Sequence, residues 1–402
     1  MKLLFILDEL VIGGSLVNAI ELAASLRTSY GCDVAIFAAP GPMVRLTEAK
    51  GVRFIPAPVP GGHPSPTRVR ALCEVIRHER PDVIHAWDPM ACFDAYVAQF
   101  FTPTPIVFTI MKMEVANHLP AWPPITFGTP KLAEEAEEMG HRRVHLLLPP
   151  VDVNVNAPGT VDPAPFMRQY GITPDSITLL TVSRLVHSLK SESLFRTIDA
   201  VHQLGRVLPL RFLIVGDGAA RTELEQRAEE VNNDLGRDAI VFAGALFDPR
   251  PAYAAADIVV GMGTSALRGM AFCKPTIVVG EKGFSTPFTP ETESAIYHRG
   301  FYGIGDGDPN NSRFCAHIRS FAEHREIFSS LGQFSRQFVV QHFSLDAIAG
   351  QVLTVYREAA EERQPLFARI LDIGRTAAVY VRCRKFRWHY QSPGSTPIVD
   401  VQ

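Results

Sequence analysis

What the chain lacks narrows it first. Its 402 residues include six cysteines, Cys32, Cys73, Cys92, Cys273, Cys315 and Cys383, and none forms a C-x-x-C pair. The closest two, Cys73 and Cys92, are separated by 18 intervening residues. That spacing argues against zinc knuckles and iron–sulfur clusters and for scattered, reduced thiols. An excess of positive charge is missing too. Lys plus Arg is 39 against 42 for Asp plus Glu, a net charge of −3, so no global field favours nucleic acid. Long apolar runs are absent. Leu3–Leu7 gives five residues before Asp8 and Glu9, too few for a signal-peptide core, and no run reaches the length of a membrane span. A cytoplasmic protein is expected. The G-x-G-x-x-G fingerprint is missing from the first strand–helix turn, and Gly216-x-Gly218 has no third glycine, which disfavours a nicotinamide dehydrogenase.

What is present points to an enzyme of two α/β domains. Hydrophobic residues at 47% and charged residues at 20% fit a soluble globular chain, and the length exceeds one ordinary core. The apolar run Leu3–Leu7 predicts a buried parallel strand. Gly13-Gly14-Ser15 then breaks the chain, with Ser15 as a candidate helix cap, and Leu16, Ile20, Ala23 and Leu26 follow at helical spacing. Asp33–Ala38 predicts the next strand, and Val52–Ile55, Val83–His85 and Ile106–Thr109 predict more, with a helix through Arg68–Arg77. The prolines at 149, 150, 158, 163 and 165 mark a boundary near residue 160. Beyond it the alternation resumes with predicted strands at Ile177–Val182, Leu210–Val215, Ala239–Ala243, Ile258–Val260 and Thr276–Val279. Late in the chain, Ser344 is positioned to cap a helix carrying Leu345, Ile348, Val352 and Val355 on one face. The expected division is therefore 1–160, 161–343, 344–390 for a crossover helix and basic tail, and a flexible terminus at 391–402. Two doubly wound domains facing a cleft are implied.

The candidate chemistry sits at strand ends. Glycines at Gly13 and Gly14 let a ligand approach the backbone where free helix N–H groups favour an anion. Arg184 follows a predicted strand and Lys190 lies six residues later, so a planar fork and a mobile point charge stand where a pyrophosphate is bound in open α/β sheets. His85 and Asp88 end another strand as candidate acceptor-side groups, with His85 a candidate for proton transfer. Asp306-Gly-Asp308 has the D-x-D spacing of a metal motif, but its glycine-rich surroundings read as a turn. The stretch from Pro365 to Tyr390 carries six Arg or Lys against one Asp, interleaved with apolar side chains. It reads either as a helix packed on the enzyme with a solvated basic face or as a membrane-surface contact at the inner face.

In order, Ser183-Arg-Leu185 with Lys190, Ile214-Val-Gly-Asp-Gly218, Val241-Phe-Ala-Gly244, Tyr253-Ala-Ala-Ala-Asp257, Met270-Ala-Phe-Cys-Lys-Pro275 and the late Phe343–Arg357 segment resemble glycosyltransferase family 4. These are retaining nucleotide-sugar enzymes of GT-B architecture, with two Rossmann-like domains facing a cleft and a C-terminal helix crossing back. The resemblance covers about residues 1–360. It implies a hexosyl transfer from a nucleotide diphosphate sugar to a small-molecule, glycan or lipid-linked hydroxyl acceptor, with no metal or other cofactor. It further implies that Arg184 and Lys190 act on the donor diphosphate, with Gly13, Gly14 and Ser15 toward the same phosphates. Gly216 would lie at the donor, and Gly244, Ala245 and Leu246 beside the base. The chain departs from the family pattern at three places. Two glutamates commonly found eight positions apart fall at Val260 and Arg268, and a family histidine falls at Met111, an acceptor-side position. Gly263, Thr264, Ser265 and Arg268 are the candidates to hold donor phosphate in place of those carboxylates. Two rival readings stand beside this one: a nucleotide-sugar epimerase of the same architecture, and a non-catalytic nucleotide-binding or partner protein.

Overall fold

The computed structural model describes residues 1–386 apart from Ile12, Gly61 and 362–365. The expected loose terminus, 391–402, lies outside the described residues. The chain divides into two compact units: Met1–Pro150 together with the described residues from Phe343 onward, and Val151–His342.

The first unit is built on seven strands: β1 (Lys2–Glu9), β2 (Asp33–Ala39), β3 (Arg53–Pro56), β4 (Val83–Trp87), β5 (Ile106–Ile110), β6 (Ile125–Phe127) and β7 (Val144–Leu146). All pair in parallel, in the order β3-β2-β1-β4-β5-β6-β7. Helices cover both faces of the central strands, so Leu3–Leu7 and all of β4 are buried. A parallel strand sealed on two faces reads as a continuous apolar run for that reason. The second unit carries β8 (Ile177–Val182), β9 (Leu210–Val215), β10 (Ile240–Gly244), β11 (Ile258–Gly261), β12 (Thr276–Val279) and β13 (Ser285–Pro287). Their order is β10-β9-β8-β11-β12-β13, parallel except for the antiparallel edge strand β13.

The structure differs from the sequence expectations at several points. The units part at Pro150–Val151 rather than near residue 160, and the prolines at 158, 163 and 165 belong to the second unit. β6 and β7 were not anticipated because each is only three residues long, too short for a periodic signal. Ser15 does not cap its helix. The helix Gly14–Tyr30 has Gly13 at its N-cap without a side-chain cap, and the Ser15 hydroxyl instead donates to Asp88 Oδ2 at 3.1 Å.

The helix Leu345–Glu361 packs within the first unit. Its buried face includes Ile348, Val352, Val355 and Tyr356. Two serines of the helix Gly14–Tyr30, Ser25 and Ser29, donate to Asp346 Oδ1 at 2.8 and 3.0 Å, and Tyr30 donates to the Asp346 carbonyl at 2.8 Å. Replacing Asp346 with Ala removes both serine contacts from a solvent-exposed carboxylate. The expected loss is about 1 kcal/mol of unfolding free energy in denaturant titration, with unchanged m-value. A loss above about 3 kcal/mol would mean that the helix is held mainly through this carboxylate rather than by its apolar face.

Candidate functional site

In each sheet the strand order reverses once, between β1 and β4 in the first unit and between β8 and β11 in the second. At such a point the crossover connections leave in opposite directions, and the strand ends open into a crevice. The residues singled out from the sequence fall at these two edges.

In the second unit, Ser183–Leu185 leaves β8 and is held against the turn that leaves β9. Ser183 N–H donates to the Val215 carbonyl at 2.9 Å, Leu185 N–H to Asp217 at 2.9 Å, and Ala220 N–H to Leu185 at 2.8 Å. The approach is too close for a side chain. A Cβ on Gly216 would lie 1.8 Å from the Ser183 carbonyl oxygen, and one on Gly218 would lie 2.4 Å from that of Leu185. Both glycines also have φ in the region L side chains avoid, +144° and +153°. Gly216 therefore has a packing role that needs no ligand: it seats the segment that presents Arg184.

Arg184 is exposed, and Lys190 precedes the helix Ser191–Leu204. Neither side chain forms an ion pair or hydrogen bond among the described residues. Burial depresses the Lys190 ammonium to a pKa of about 8, and the Arg184 charge adds to the effect. The fold thus brings the two cations close together and supplies neither with a carboxylate.

The other expected donor groups surround this edge. Gly244, with φ +71°, accepts from Gly216 N–H at 2.8 Å; Ala245 is exposed, and Leu246 packs on the cluster around Tyr253. Gly263, with φ +54°, begins the helix Thr264–Ala271 and donates its N–H to the Phe301 carbonyl at 2.8 Å. The Thr264 hydroxyl is half-buried and makes no hydrogen bond among the described residues. Ser265 is different: its hydroxyl accepts from the buried Tyr253 at 3.3 Å, so it turns into the core and not toward a phosphate. Arg268 lies near Asp248, where its charge supplements the stronger pull of Arg250 on that carboxyl. Val260 is buried in β11. Asp308, of the D-x-D spacing, is engaged by Arg196 and by the backbone N–H groups of Arg313 and Phe314.

One carboxylate escaped the sequence reading. Glu281 follows β12 and accepts a hydrogen bond from Tyr302; its N–H donates to Gly303 at 3.0 Å. Segment 301–303 therefore ties the end of β12 to Gly263. Glu192, two residues after Lys190, accepts from the backbone N–H groups of Lys282 and Gly283 at 2.8 and 2.7 Å. Glu281 is thus connected on one side to Gly263 and on the other to the helix that follows Lys190. Its position after a strand was the available signal, masked by the turn-like Gly-Glu-Lys-Gly composition.

In the first unit, Asp88 ends β4 with φ +67° and accepts from Ser15. Burial raises its carboxyl above the usual range against the opposing pull of Lys112, a residue the sequence reading did not select. Met111 leaves β5 and packs its sulfur over Gly128, where a Cβ would come within 2.9 Å. His85 is not at the edge. It is fully buried, its Nδ1 hydrogen-bonded to Tyr356 Oη and its Nε2 to Thr109 Oγ1, both at 2.6 Å. Burial lowers its pKa to about 3, which fixes it as a neutral core residue and removes it as a candidate for proton exchange with a substrate. The sequence places it at the strand end, but β4 runs two positions further, through Ala86 and Trp87.

Beside Asp88's edge lies a second polar cluster. His63 Nδ1 is 2.9 Å from the fully buried Asp94 carboxylate and Nε2 is 3.5 Å from Asp8, while buried Arg68 donates to the carbonyls of Leu7 and Asp8. The bonds to Asp8 and Asp94 raise His63 to a pKa of about 9.

Two doubly wound units, each opening at its switch point, define the GT-B architecture. A profile described as Glycosyltransferase Family 4 matches residues 12–124, and one described as Glycosyl transferases group 1 matches residues 176–296. Among solved structures, a glycosyltransferase from Rickettsia africae is similar with TM-score 0.72 and 15% identity, over 89% of this chain and 98% of that one. Anabaena Alr3699/HepE, in complex with UDP and glucose, is similar with TM-score 0.70 and 18% identity, over 89% and 100%. WaaG, a glycosyltransferase involved in lipopolysaccharide biosynthesis, gives 0.62 and 13%, over 88% and 99%. No curated protein matches in sequence. The chain is a glycosyltransferase of the GT-B type.

The His63 cluster yields a pH dependence. A histidine whose folded pKa exceeds its unfolded value of about 6.5 stabilises fully below that value, and the contribution is lost as pH rises toward 9. His63→Gln should therefore lower the melting temperature most at pH 6, and the difference from the parent chain should shrink steadily up to pH 10. The full contribution is of the order of 3 kcal/mol. A pH-independent difference would show that His63 acts through packing alone.

Proposed function

We propose that this glycosyltransferase moves a hexose from a nucleoside diphosphate sugar to a hydroxyl acceptor, with retention of anomeric configuration and without a metal. One observation carries the reading: Arg184 and Lys190 stand together at the β8–β11 switch point, and among the described residues neither is paired with a carboxylate. Two uncompensated cations at an open strand edge suit a diphosphate. The Alr3699/HepE complexes with UDP and with UDP-glucose support the donor class by analogy.

In the proposed reaction the bond from the sugar's anomeric carbon to the diphosphate oxygen breaks, and one to the acceptor oxygen forms on the same face. The acceptor's proton passes to the departing phosphate oxygen. Negative charge grows on that phosphate as the bond lengthens, and Arg184 and Lys190 stabilise it, which is the work a metal would otherwise do. Thr264 and the helix start behind Gly263 offer a hydroxyl and free N–H groups to the same phosphates. Glu281, one oxygen occupied by Tyr302, takes the part of a sugar-hydroxyl acceptor that Val260 and Arg268 cannot play. On the first unit, Asp88 with Ser15 and Met111 form the acceptor side, and His85 has no part in it. A glycan or a lipid-linked alcohol fits this description equally, as does a small molecule.

The reading is tested directly by incubating the enzyme with nucleoside diphosphate sugars and an acceptor panel in the presence of EDTA, with product configuration assigned by proton NMR. Retained configuration and undiminished turnover are expected. An inverted product or loss of activity with chelator overturns that part, and epimerised donor without transfer would favour the epimerase.

Binding supplies an independent measurement. Arg184→Ala and Lys190→Ala should each weaken nucleoside diphosphate affinity by about 1.5–3 kcal/mol in calorimetry, with little effect on the free nucleoside. Because Lys190 loses its charge near pH 8, affinity should fall several-fold between pH 8 and 9, with proton uptake on binding at pH 8. Lys190→Arg should abolish that step. Glu281→Gln should lower transfer while leaving nucleoside diphosphate affinity unchanged; equal transfer would remove Glu281 from the site.

A further inference from the structure

The helix Leu366–Phe386 is fastened to the first unit by one face. Asp372 accepts from the Tyr96 hydroxyl at 2.6 Å and from the backbone N–H groups of Ala121 and Trp122 at 3.2 and 3.3 Å. Ile373 packs on the core, Thr376 is buried, and the Tyr380 ring lies 4.9 Å from Phe93 and 5.4 Å from His118. Positions 372, 373, 376 and 380 recur at helical spacing, so the opposite face is fixed outward.

That outward face is not the polar one expected of a helix on a soluble enzyme. It exposes Phe367 (73%), Leu371 (58%), Val381 (52%) and Ile370 (48%). Among the described side chains, the charged residues exposed with them are Arg375 and Arg382, and the helix's one carboxylate, Asp372, is committed to the inner face. At the start of the helix Arg369 reaches the Gln99 carbonyl at 3.5 Å. This sets the patch beside Phe100 and Phe101, both exposed, and beside a groove lined by Phe101, Arg77 and Arg80.

We propose that the outer face of the Leu366–Phe386 helix docks this enzyme on an anionic lipid bilayer, with the helix lying in the interface plane. Large apolar side chains flanked by arginines, with no exposed acid on this helix among the described residues, match the boundary between acyl chains and phosphate headgroups. Among the described residues no helix is long and apolar enough to cross a membrane, so the contact is a surface one. A second copy is a poorer occupant. Two-fold packing of this face on itself would set arginines against arginines with no carboxylate to offset them. The proposal is independent of the donor assigned above.

The test is co-sedimentation of the full chain with phosphatidylcholine vesicles, with and without phosphatidylglycerol. Binding is expected to the anionic vesicles only, and it should weaken with salt. The double variants Phe367→Ser/Leu371→Ser and Arg375→Glu/Arg382→Glu should each reduce the bound fraction about tenfold or more. Val207→Ser, an exposed apolar residue of the second unit, should have no effect. Phe367→Trp provides a reading in the folded chain: its emission should shift to the blue on adding anionic vesicles. Equal binding by the double variants, no binding by the parent chain, or an unshifted emission overturns the proposal. So does light scattering that shows a dimer dispersed by Phe367→Ser/Leu371→Ser while the parent ignores vesicles.

Discussion

Ser183–Leu185 can lie where it does only because the next turn offers bare backbone. With any side chain at 216 or 218 the segment leaving β8 would be pushed outward, and Arg184 with it. The position of the principal cation is thus set by steric contact between main chains, which is stiff, rather than by a hydrogen-bonded side chain, which is not.

Electrostatics then does the opposite of stabilising the empty protein. Two like charges are held near each other; burial of Lys190 first, and the Arg184 charge second, lower the Lys190 pKa. An anion relieves both the repulsion and the unmet solvation. In the first unit two histidines find their partners in the protein itself: His63 lies between two carboxylates, and His85 between Tyr356 and Thr109.

Much of this was legible in the chain. Arg184, Lys190 and the glycine turns could be placed because strand ends leave apolar runs bounded by glycine, and an open sheet binds at those ends. The central strands were legible because burial on two faces writes itself as unbroken hydrophobicity. The failures have equally physical causes. His85 looks like a strand-end residue when Trp87 is not counted into β4, and one-dimensional pattern cannot show that its polar partner comes from Tyr356, far along the chain. Ser265 and Thr264 are adjacent and chemically alike, yet only the fold reveals that Tyr253 holds the Ser265 hydroxyl. Glu281 was hidden because its contacts, with Tyr302 and with segment 301–303, are non-local. β6 and β7 are too short to carry a period.

The return of the chain to its first unit at Phe343 has a bearing on how the protein is made. The first unit is discontinuous in sequence, with Val151–His342 inserted into it. During synthesis the N-terminal sheet emerges first but lacks the helix that supplies Tyr356 to buried His85 and Asp346 to Ser25 and Ser29. The inserted unit has all its strands in one stretch and can complete its core while its predecessor waits. For the whole time that the middle of the chain is being translated, an imidazole and an apolar helix face in the nascent N-terminal sheet remain without the partners that bury them.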